Sequence, residues 1–132
     1  MSSSSHQPFP FCSPDPHRIF HTGERILGLW DGFPVSPGHA LLVPRRHVAS
    51  WFDASPEEHR DLAAAISIAR EAILGLHRPD GFNVGMNLGT AAGQTIEHLH
   101  VHVIPRYLGD VGDPRGGIRW VVPAMAPYWR SP

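Results

Sequence analysis

The chain has 132 residues and a formal net charge of −1 at pH 7, a length that suits one domain with a buried core. The near-neutral charge argues against binding of nucleic acid through a broad basic face, and no apolar run is long enough to span a membrane. All 11 basic residues are arginine, which excludes a P-loop lysine and Schiff-base catalysis. The single cysteine, Cys12, excludes an intrachain disulfide. The single cysteine and the lack of a visible secretory signal together favour a cytoplasmic location.

The first half of the chain predicts a leader followed by short strands. Residues 1–16 are rich in serine and proline without periodicity, and we interpret them as a flexible leader. Short apolar runs separated by turn residues then predict strands in 18–22, 24–31 and 39–44.

A long helix is predicted to begin at Ser55. This serine can cap the helix, Pro56 suits the first helical position and Glu58 completes a capping box. The helix is expected to continue to about residue 77, because apolar residues recur at spacings of three and four that would form one buried stripe. The stripe comprises Leu62, Ile66, Ala69, Ile73 and Leu76.

Two more strands are predicted after the helix, at 82–87 and, with the strictest alternation in the chain, at 98–106. The Gly- and Pro-rich tail from residue 108 contains a further candidate strand at 120–122. Strands, one long helix and more strands indicate an α+β fold with a mainly antiparallel sheet. We therefore divide the chain into the leader (1–16), a domain core (17–107) and a C-terminal extension (108–132).

Three histidines dominate the last strand, since His98, His100 and His102 alternate with aliphatic residues and would lie on one face. Packing gives no reason for such a row. One metal ion could use at most two of the three, because His98 and His102 would lie roughly 13 Å apart along a strand. If the row instead attacks and binds a phosphoryl group, all three histidines have a role. Imidazole is a good nucleophile near neutral pH, and protonated neighbours can stabilise phosphoryl oxygens and a leaving group.

Residues 98–104 (HLHVHVI) resemble the alternating signature of the histidine triad (HIT) superfamily. Two other segments are similar to that family in order and spacing, namely 37–44 (PGHALLVP) and the Gly-Gln-Thr turn at 93–95. Thr95 and the segment 93–106 are more similar to the fragile histidine triad (Fhit) and bacterial diadenosine polyphosphate hydrolase branch. Asn87 is nearer the Hint phosphoramidases.

The resemblance implies a HIT-like fold, with a five-stranded mainly antiparallel sheet, one long helix and a short helix, usually paired into a homodimer. Ile68 and Leu74 agree with pairing, because they are apolar but lie off the predicted buried stripe.

The resemblance also implies roles for individual residues in nucleotidyl transfer or hydrolysis at an α-phosphate. By position, His100 matches the nucleophile, His102 the residue beside the phosphate, His98 a supporting residue and His39 the histidine that orients the group. The expected substrate contacts are Asp31 on the ribose hydroxyls, Asn87 near the phosphate chain, and Gln94 and Thr95 at the phosphate and leaving group.

The expected activity is hydrolysis of a diadenosine polyphosphate to a nucleoside monophosphate, with adenine nucleotides as ligands. Two alternatives stay open: an adenosine 5′-phosphoramidase of the Hint type, and a nucleotide-binding regulator with little turnover. No cofactor is expected to be required, although Mg²⁺ could neutralise a polyphosphate substrate. No nucleic acid or membrane partner is expected.

Some bacterial members hold a structural zinc, and Cys12, His47 and His98 match three of its ligands. The position of the remaining cysteine is occupied by Phe9. Because a structural zinc site normally has four protein ligands, we expect this chain to lack the zinc.

Overall fold

The computed structural model describes residues 11–130 and confirms the α+β fold. Its five strands are β1 (Ile19–Thr22), β2 (Ile26–Trp30), β3 (Ala40–Pro44), β4 (Gly81–Gly85) and β5 (Val101–Arg106). The helix α1 (Pro56–Leu74) connects β3 to β4. The strands form one sheet in the order β1-β2-β3-β5-β4, and all neighbouring pairs are antiparallel.

Strand β5 lies between β3 and β4, and its register decides which residues surround the histidine row. His102 of β5 is opposite Leu41 of β3 and opposite Gly85 of β4. All five residues of β3 are buried, as expected for a nearly continuous apolar run in the middle of a sheet. The row therefore lies next to the fully buried strand β3.

Helix α1 begins as predicted and ends earlier than predicted. The Ser55 hydroxyl accepts a hydrogen bond from the amide of Glu58 (3.0 Å), whose carboxylate accepts from the amide of Ser55 (2.8 Å). The helix ends at Leu74, and Leu76 is 68% exposed, so the prediction that Leu76 belongs to the buried stripe is wrong. Gly75 is the C-terminal cap, and the Arg78 guanidinium donates to the Leu74 carbonyl left free at the helix end.

The sheet has an apolar core on each face. On one face, α1 covers β2, β3 and β5 through residues that include Leu42, Leu62, Ile73, Leu99 and Val103. On the opposite face the buried residues are Phe11, Leu27, Leu29, Leu41 and Val43.

The structure corrects part of the predicted leader. Residues 1–10 lie outside the described residues, but Phe11 is only 4% exposed and packs on the face of the sheet away from α1. A 3-10 helix then forms at Pro16–Arg18, with the Asp15 carboxylate accepting from the amide of His17. The chain is therefore anchored to the domain from Phe11 onwards.

The C-terminal extension contains two 3-10 helices, Gly117–Val121 and Pro123–Met125, instead of the predicted strand at 120–122. Gly116 and Gly117 have φ values of +91° and +40°, and this left-handed backbone turns the chain away from an extended path. Short 3-10 helices also form at Trp51–Asp53 and Thr90–Ala92. Among residues 11–130, no helix is both long and apolar enough to cross a membrane.

Candidate active site

The histidine row lies partly before the strand that was predicted to hold all of it. β5 begins at Val101, so His98 and His100 occupy an extended segment that precedes the strand. The alternation itself is confirmed, because Leu99, Val101 and Val103 all enter the core beneath α1. Strand pairing begins later because β3 ends at Pro44, which has no N–H to donate, and the Pro44 carbonyl accepts from the His98 side chain instead.

His100 has one ring nitrogen in a hydrogen bond that fixes its tautomer. Its Nδ1 lies 2.8 Å from the carbonyl oxygen of His98. Because a carbonyl oxygen only accepts, Nδ1 carries the proton, and in the neutral ring Nε2 has the lone pair. The side chain is 8% exposed, and its ring centroid lies 5.0 Å from that of Phe11. A nucleophilic nitrogen is thus oriented by the backbone and screened on one side by an aromatic ring.

His39 and His102 form a second, directly bonded pair, with 2.9 Å between Nε2 of His39 and Nδ1 of His102. The backbone amide of Val35 donates to Nδ1 of His39 (3.1 Å), so Nε2 carries the His39 proton. Nδ1 of His102 must then accept, which places the His102 proton on Nε2. The carboxylate of Asp31 lies 3.3 Å from Nε2 of His39. This chain of contacts leaves His102 with an N–H donor at Nε2, and the His102 ring centroid lies 5.1 Å from that of His100.

His98 is fully buried and lies at the opposite end of the row from His102. Its Nε2 donates to the Pro44 carbonyl (2.7 Å), which leaves Nδ1 with the lone pair. That nitrogen lies 3.6 Å from Sγ of Cys12, and Cys12 Sγ is 3.4 Å from Nδ1 of His47. The three donor atoms lie within 4.8 Å of one another, so the structure brings together the three residues weighed as zinc ligands.

The chemistry of this donor set fits three of the four positions of a tetrahedral zinc. The hydrogen bond from His98 to a backbone carbonyl is the arrangement that orients a metal-binding imidazole. In the described part of the chain, no group of three or more donors close enough to share an ion contains two histidines of the row.

The imidazoles around His100 are held neutral in the substrate-free chain. Burial, followed by the nearby His100 and His39, lowers the pKa of His102 to about 4, and Asp31 opposes the shift. Burial also lowers the pKa of His98 and of His39. The expectation of protonated neighbours therefore does not describe the site before an anion binds. Neutral N–H groups are the donors it offers, and a phosphoryl anion beside His102 would raise that pKa.

The loop before the row is held in shape by Gln94. Its side-chain oxygen accepts from the amide of Gly89 (2.9 Å), and its side-chain nitrogen donates to the carbonyls of Ala49 (2.8 Å) and Ile96 (3.0 Å). The side-chain amide of Gln94, which was expected to contact the phosphate, therefore makes its hydrogen bonds within the protein. Thr95 is exposed beside it, so its hydroxyl is accessible to a ligand.

Asn87 and Asp31 are brought to the same region from other elements. Asn87 is half-buried and follows β4 by two residues, just beyond Gly85, which is opposite His102. Asp31 follows β2, and one of its oxygens accepts from the amide of Phe33 (2.7 Å). Asp31 therefore contacts both the loop after β2 and His39. The contact with His39 is not part of the role on ribose that was expected for Asp31.

Phe11 and Val35 are parts of the site that the sequence patterns did not indicate. Phe11 packs against both His98 and His100, with ring centroids 5.7 and 5.0 Å away. Val35 contributes only its backbone amide, and so no side-chain pattern could have revealed it. For Phe11, the available signal was an aromatic residue directly before Cys12 in an otherwise polar segment.

Comparison with known proteins places these features in one family. The HIT domain matches residues 14–109. An AP-4-A phosphorylase from Mycobacterium tuberculosis is 41% identical over 113 residues, which cover 83% of this chain and 58% of that protein. The chain thus spans little more than half the length of this relative.

A further protein and a crystal structure are also similar to this chain. A bis(5′-nucleosyl)-tetraphosphatase from Schizosaccharomyces pombe is 36% identical over 80 residues, which cover 61% of this chain and 44% of that protein. The crystal structure of a zinc-bound histidine triad family protein from Mycobacterium smegmatis is 38% identical with a TM-score of 0.63. The match covers 81% of this chain and 72% of that structure. From its matched domain, its fold and its histidine row, the chain belongs to the HIT domain family.

Proposed function

We propose that the chain is a nucleotidyl hydrolase that cleaves diadenosine polyphosphates at an α-phosphate and releases a nucleoside monophosphate. One observation carries the proposal most directly: Nδ1 of His100 donates to the His98 carbonyl, so that Nε2 is the free, nucleophilic nitrogen. The outward N–H of His102 lies next to it and can donate to a phosphoryl oxygen.

The reaction needs two displacements at one phosphorus. Nε2 of His100 attacks the α-phosphorus, an N–P bond forms, and the bond from phosphorus to the leaving-group oxygen breaks. The remaining nucleoside polyphosphate departs with the electron pair of that bond. Water then attacks the same phosphorus, the N–P bond breaks, the electron pair returns to Nε2, and the proton of water passes to solvent. The second step releases the nucleoside monophosphate and restores the neutral imidazole.

The charge state of the site favours a polyphosphate over an amine as the leaving group. A polyphosphate is stable as an anion, whereas an amine must gain a proton as its bond to phosphorus breaks. Burial lowers the pKa of His102 to about 4 and also lowers the pKa of His39, so neither is an abundant acid at neutral pH before substrate binds. This supports the polyphosphate hydrolase over the phosphoramidase.

The relatives support the same substrate class and add one alternative. The relative from S. pombe carries the name bis(5′-nucleosyl)-tetraphosphatase, and the one from M. tuberculosis the name AP-4-A phosphorylase. In a phosphorylase, inorganic phosphate replaces water in the second displacement, and the product is then a nucleoside diphosphate. The 41% identity to the mycobacterial protein makes phosphorolysis the second candidate activity.

The substrate contacts follow from the placement of the polar residues. The exposed Thr95 would bind a phosphoryl or leaving-group oxygen, and Asn87 the phosphate chain. Asp31 would accept from the ribose hydroxyls while it orients His39. Gln94 would act through the loop that it holds together. No metal is required by these steps, although Mg²⁺ could neutralise a polyphosphate in solution.

Product analysis tests the proposal. The chain is incubated with diadenosine tetraphosphate, with and without inorganic phosphate, and the nucleotides are separated. We expect AMP and ATP under both conditions. ADP and ATP that appear only with phosphate would establish phosphorolysis instead. Turnover of adenosine 5′-phosphoramidate alone would establish the phosphoramidase, and tight nucleotide binding without turnover would establish a regulator.

A further inference from the structure

The ring of Phe11 contacts two of the three histidines in the row. Its centroid lies 5.0 Å from that of His100, with the ring planes tilted by 54°, and 5.7 Å from that of His98, with the planes nearly perpendicular at 85°. Phe11 is buried, although it belongs to the segment that was predicted to be a flexible leader. One aromatic side chain from this segment thus touches both residues of the hydrogen bond between Nδ1 of His100 and the His98 carbonyl.

Phe11 is held in place by its own packing and by its neighbour in the chain. Its side chain belongs to the apolar cluster on the face of the sheet away from α1. The next residue, Cys12, has its sulfur 3.4 Å from Nδ1 of His47 and 3.6 Å from Nδ1 of His98. Because protein interiors are close-packed, a side chain held in this way restricts the rotation of a ring that it touches.

The attack proposed for His100 requires one tautomer and one orientation of its ring. Among residues 11–130, the bond of 2.8 Å to the His98 carbonyl is the hydrogen bond that assigns the proton to Nδ1 and leaves the lone pair on Nε2. Water that reached this carbonyl would compete for the bond. A half-turn of the ring about its bond to Cβ would place a carbon near the present position of Nε2. Both changes would remove the nucleophile without altering the residue.

The rings of Phe11 and His102 restrict His100 in different ways. The centroid of His102 lies 5.1 Å from that of His100, and His102 is itself oriented by its hydrogen bond to His39. Phe11 has no group that could donate or accept a proton. Its effect on His100 is therefore limited to shape and to the exclusion of water, and removal of its ring changes these two properties without removing a polar group.

We propose that Phe11 is a positioning residue for the reaction: it holds the His100 ring in the orientation that leaves Nε2 free, and it keeps water from the hydrogen bond that fixes the tautomer. This proposal rests on the proposed function, in which His100 attacks the α-phosphorus. Phe11 contacts no reacting atom in that scheme and acts only through His100. The segment that was expected to be a leader then contributes to catalysis through its one deeply buried side chain among residues 11–16.

Two measurements on Phe11 variants test the proposal. In steady-state kinetics on diadenosine tetraphosphate, Phe11→Ala should lower kcat by about 10- to 100-fold and change KM much less, because misplacement of a reacting group by about 1 Å can cost about 100-fold in rate. ¹⁵N NMR of the histidine side chains at about pH 8, where an ordinary imidazole is neutral, shows which ring nitrogen carries the proton.

The native chain should give one His100 tautomer with the proton on Nδ1, and Phe11→Ala should give a mixture of both. The signals that disappear in His100→Asn assign the spectrum. Phe11→Leu retains an apolar side chain beside the ring, and so it should recover most of kcat and the native tautomer.

Leu27→Ala is the matched control for lost packing, since Leu27 is buried in the same apolar cluster and lies on β2, which β3 separates from β5. It should lower the urea midpoint of unfolding and leave kcat and the His100 tautomer unchanged. Native kcat or an unchanged tautomer in Phe11→Ala, or the same two losses in Leu27→Ala, would overturn the proposal. If Phe11→Ala does not fold, Phe11→Val takes its place in the same comparison. Absence of turnover in the native chain would refute the proposed function, and the tautomer measurement would then decide the role of Phe11.

Discussion

Nε2 of His39 lies 2.9 Å from Nδ1 of His102, and this contact determines which nitrogen of His102 faces a substrate. The proton on Nε2 of His39 is assigned by the amide of Val35, which donates to the opposite nitrogen. A backbone amide in the loop after β2 thus fixes, through two imidazoles, an N–H donor beside His100. The His102 tautomer depends on His39 although we place no reacting atom at His39.

Loss of His39 is the first prediction. His39→Ala should lower kcat by about 10- to 100-fold, as is usual when an orienting partner of an active-site imidazole is removed, and change KM much less. His39→Gln should recover part of kcat, because its amide can still donate to Nδ1 of His102. Steady-state kinetics on diadenosine tetraphosphate measures both constants, with the exposed His17→Asn as control. A His39→Ala enzyme with unchanged kcat would contradict the assigned role.

The buried His102 predicts how stability depends on pH. Its pKa is about 4 in the folded chain, below the ordinary value of 6.5, so the unfolded chain binds a proton that the folded chain does not between these values. The contribution of His102 to the free energy of unfolding should therefore be complete above pH 6.5 and decrease as the pH falls towards 4. His39 and His98, whose pKa values are also lowered by burial, act in the same direction.

Denaturant unfolding at several pH values between 4 and 7 measures this decrease. His102→Asn should have a shallower pH dependence, while His17→Asn should retain that of the native chain. The pKa of Asp110 is lowered to about 2 by its bond to Arg106, so the loss of stability from protonation of this carboxylate falls mainly below pH 4. A pH dependence identical in the native chain and in His102→Asn would show that His102 is not buried in the neutral form.

Much of this architecture could be predicted because burial produces periodicity. The alternation of His98 to Val103 indicated which side chains enter the core, and the structure places the aliphatic residues there. The capping box at Ser55 and Glu58 located the start of α1, since both of its hydrogen bonds are local. Leu76 was misassigned because it continues the apolar spacing after the backbone has left the helix.

Other parts of the site depend on contacts between distant segments and have no local pattern. Phe11 reaches the histidine row from nearly 90 residues earlier in the sequence, and a single apolar residue has no period. Gln94 matched the expected turn, yet its amide also donates to the carbonyl of Ala49, which only the folded chain brings close. The cavity lined by Ile104, Arg106 and Ile118 likewise exists only because the extension folds back over β4 and β5.

Removal of metal ions tests whether turnover by the histidine row depends on a metal bound at the candidate zinc ligands. We expect a chelator to leave the turnover of adenosine 5′-phosphoramidate unchanged, if that substrate is cleaved at all, because the nucleophile and the N–H donors belong to the chain. Turnover of diadenosine tetraphosphate should fall several-fold if Mg²⁺ neutralises that substrate. Cys12→Ser is the control, since it alters the Cys12, His47 and His98 group without touching His100. Complete loss of both activities, restored by zinc, would contradict a metal-independent row.

Pairing of two chains is expected through the exposed side of α1. Ile68 is 39% exposed and lies off the buried stripe of the helix, an arrangement that a second copy of the chain would cover. Sedimentation equilibrium at micromolar concentration should give a mass about twice the 14.6 kDa of one chain. Ile68→Glu should shift the mass to one chain, whereas Ser67→Glu, at an exposed polar position, should not. A single-chain mass for the native protein would refute the dimer.

A covalent intermediate on His100 is the prediction on which the proposed chemistry depends. Since Nε2 of His100 bonds to the α-phosphorus before water arrives, hydrolysis in ¹⁸O-labelled water must place the label in AMP and not in ATP. His100→Ala should lose at least about a thousandfold in kcat, while still binding nucleotide, because the ligand contacts are distributed over Asp31, Asn87 and Thr95. His98→Ala should cost less, since His98 bonds to Pro44 and need not contact phosphorus. Mass spectrometry of the products, with isothermal titration of each variant, provides both readouts. Label confined to ATP, or an active His100→Ala enzyme, would show that this imidazole does not attack the α-phosphorus.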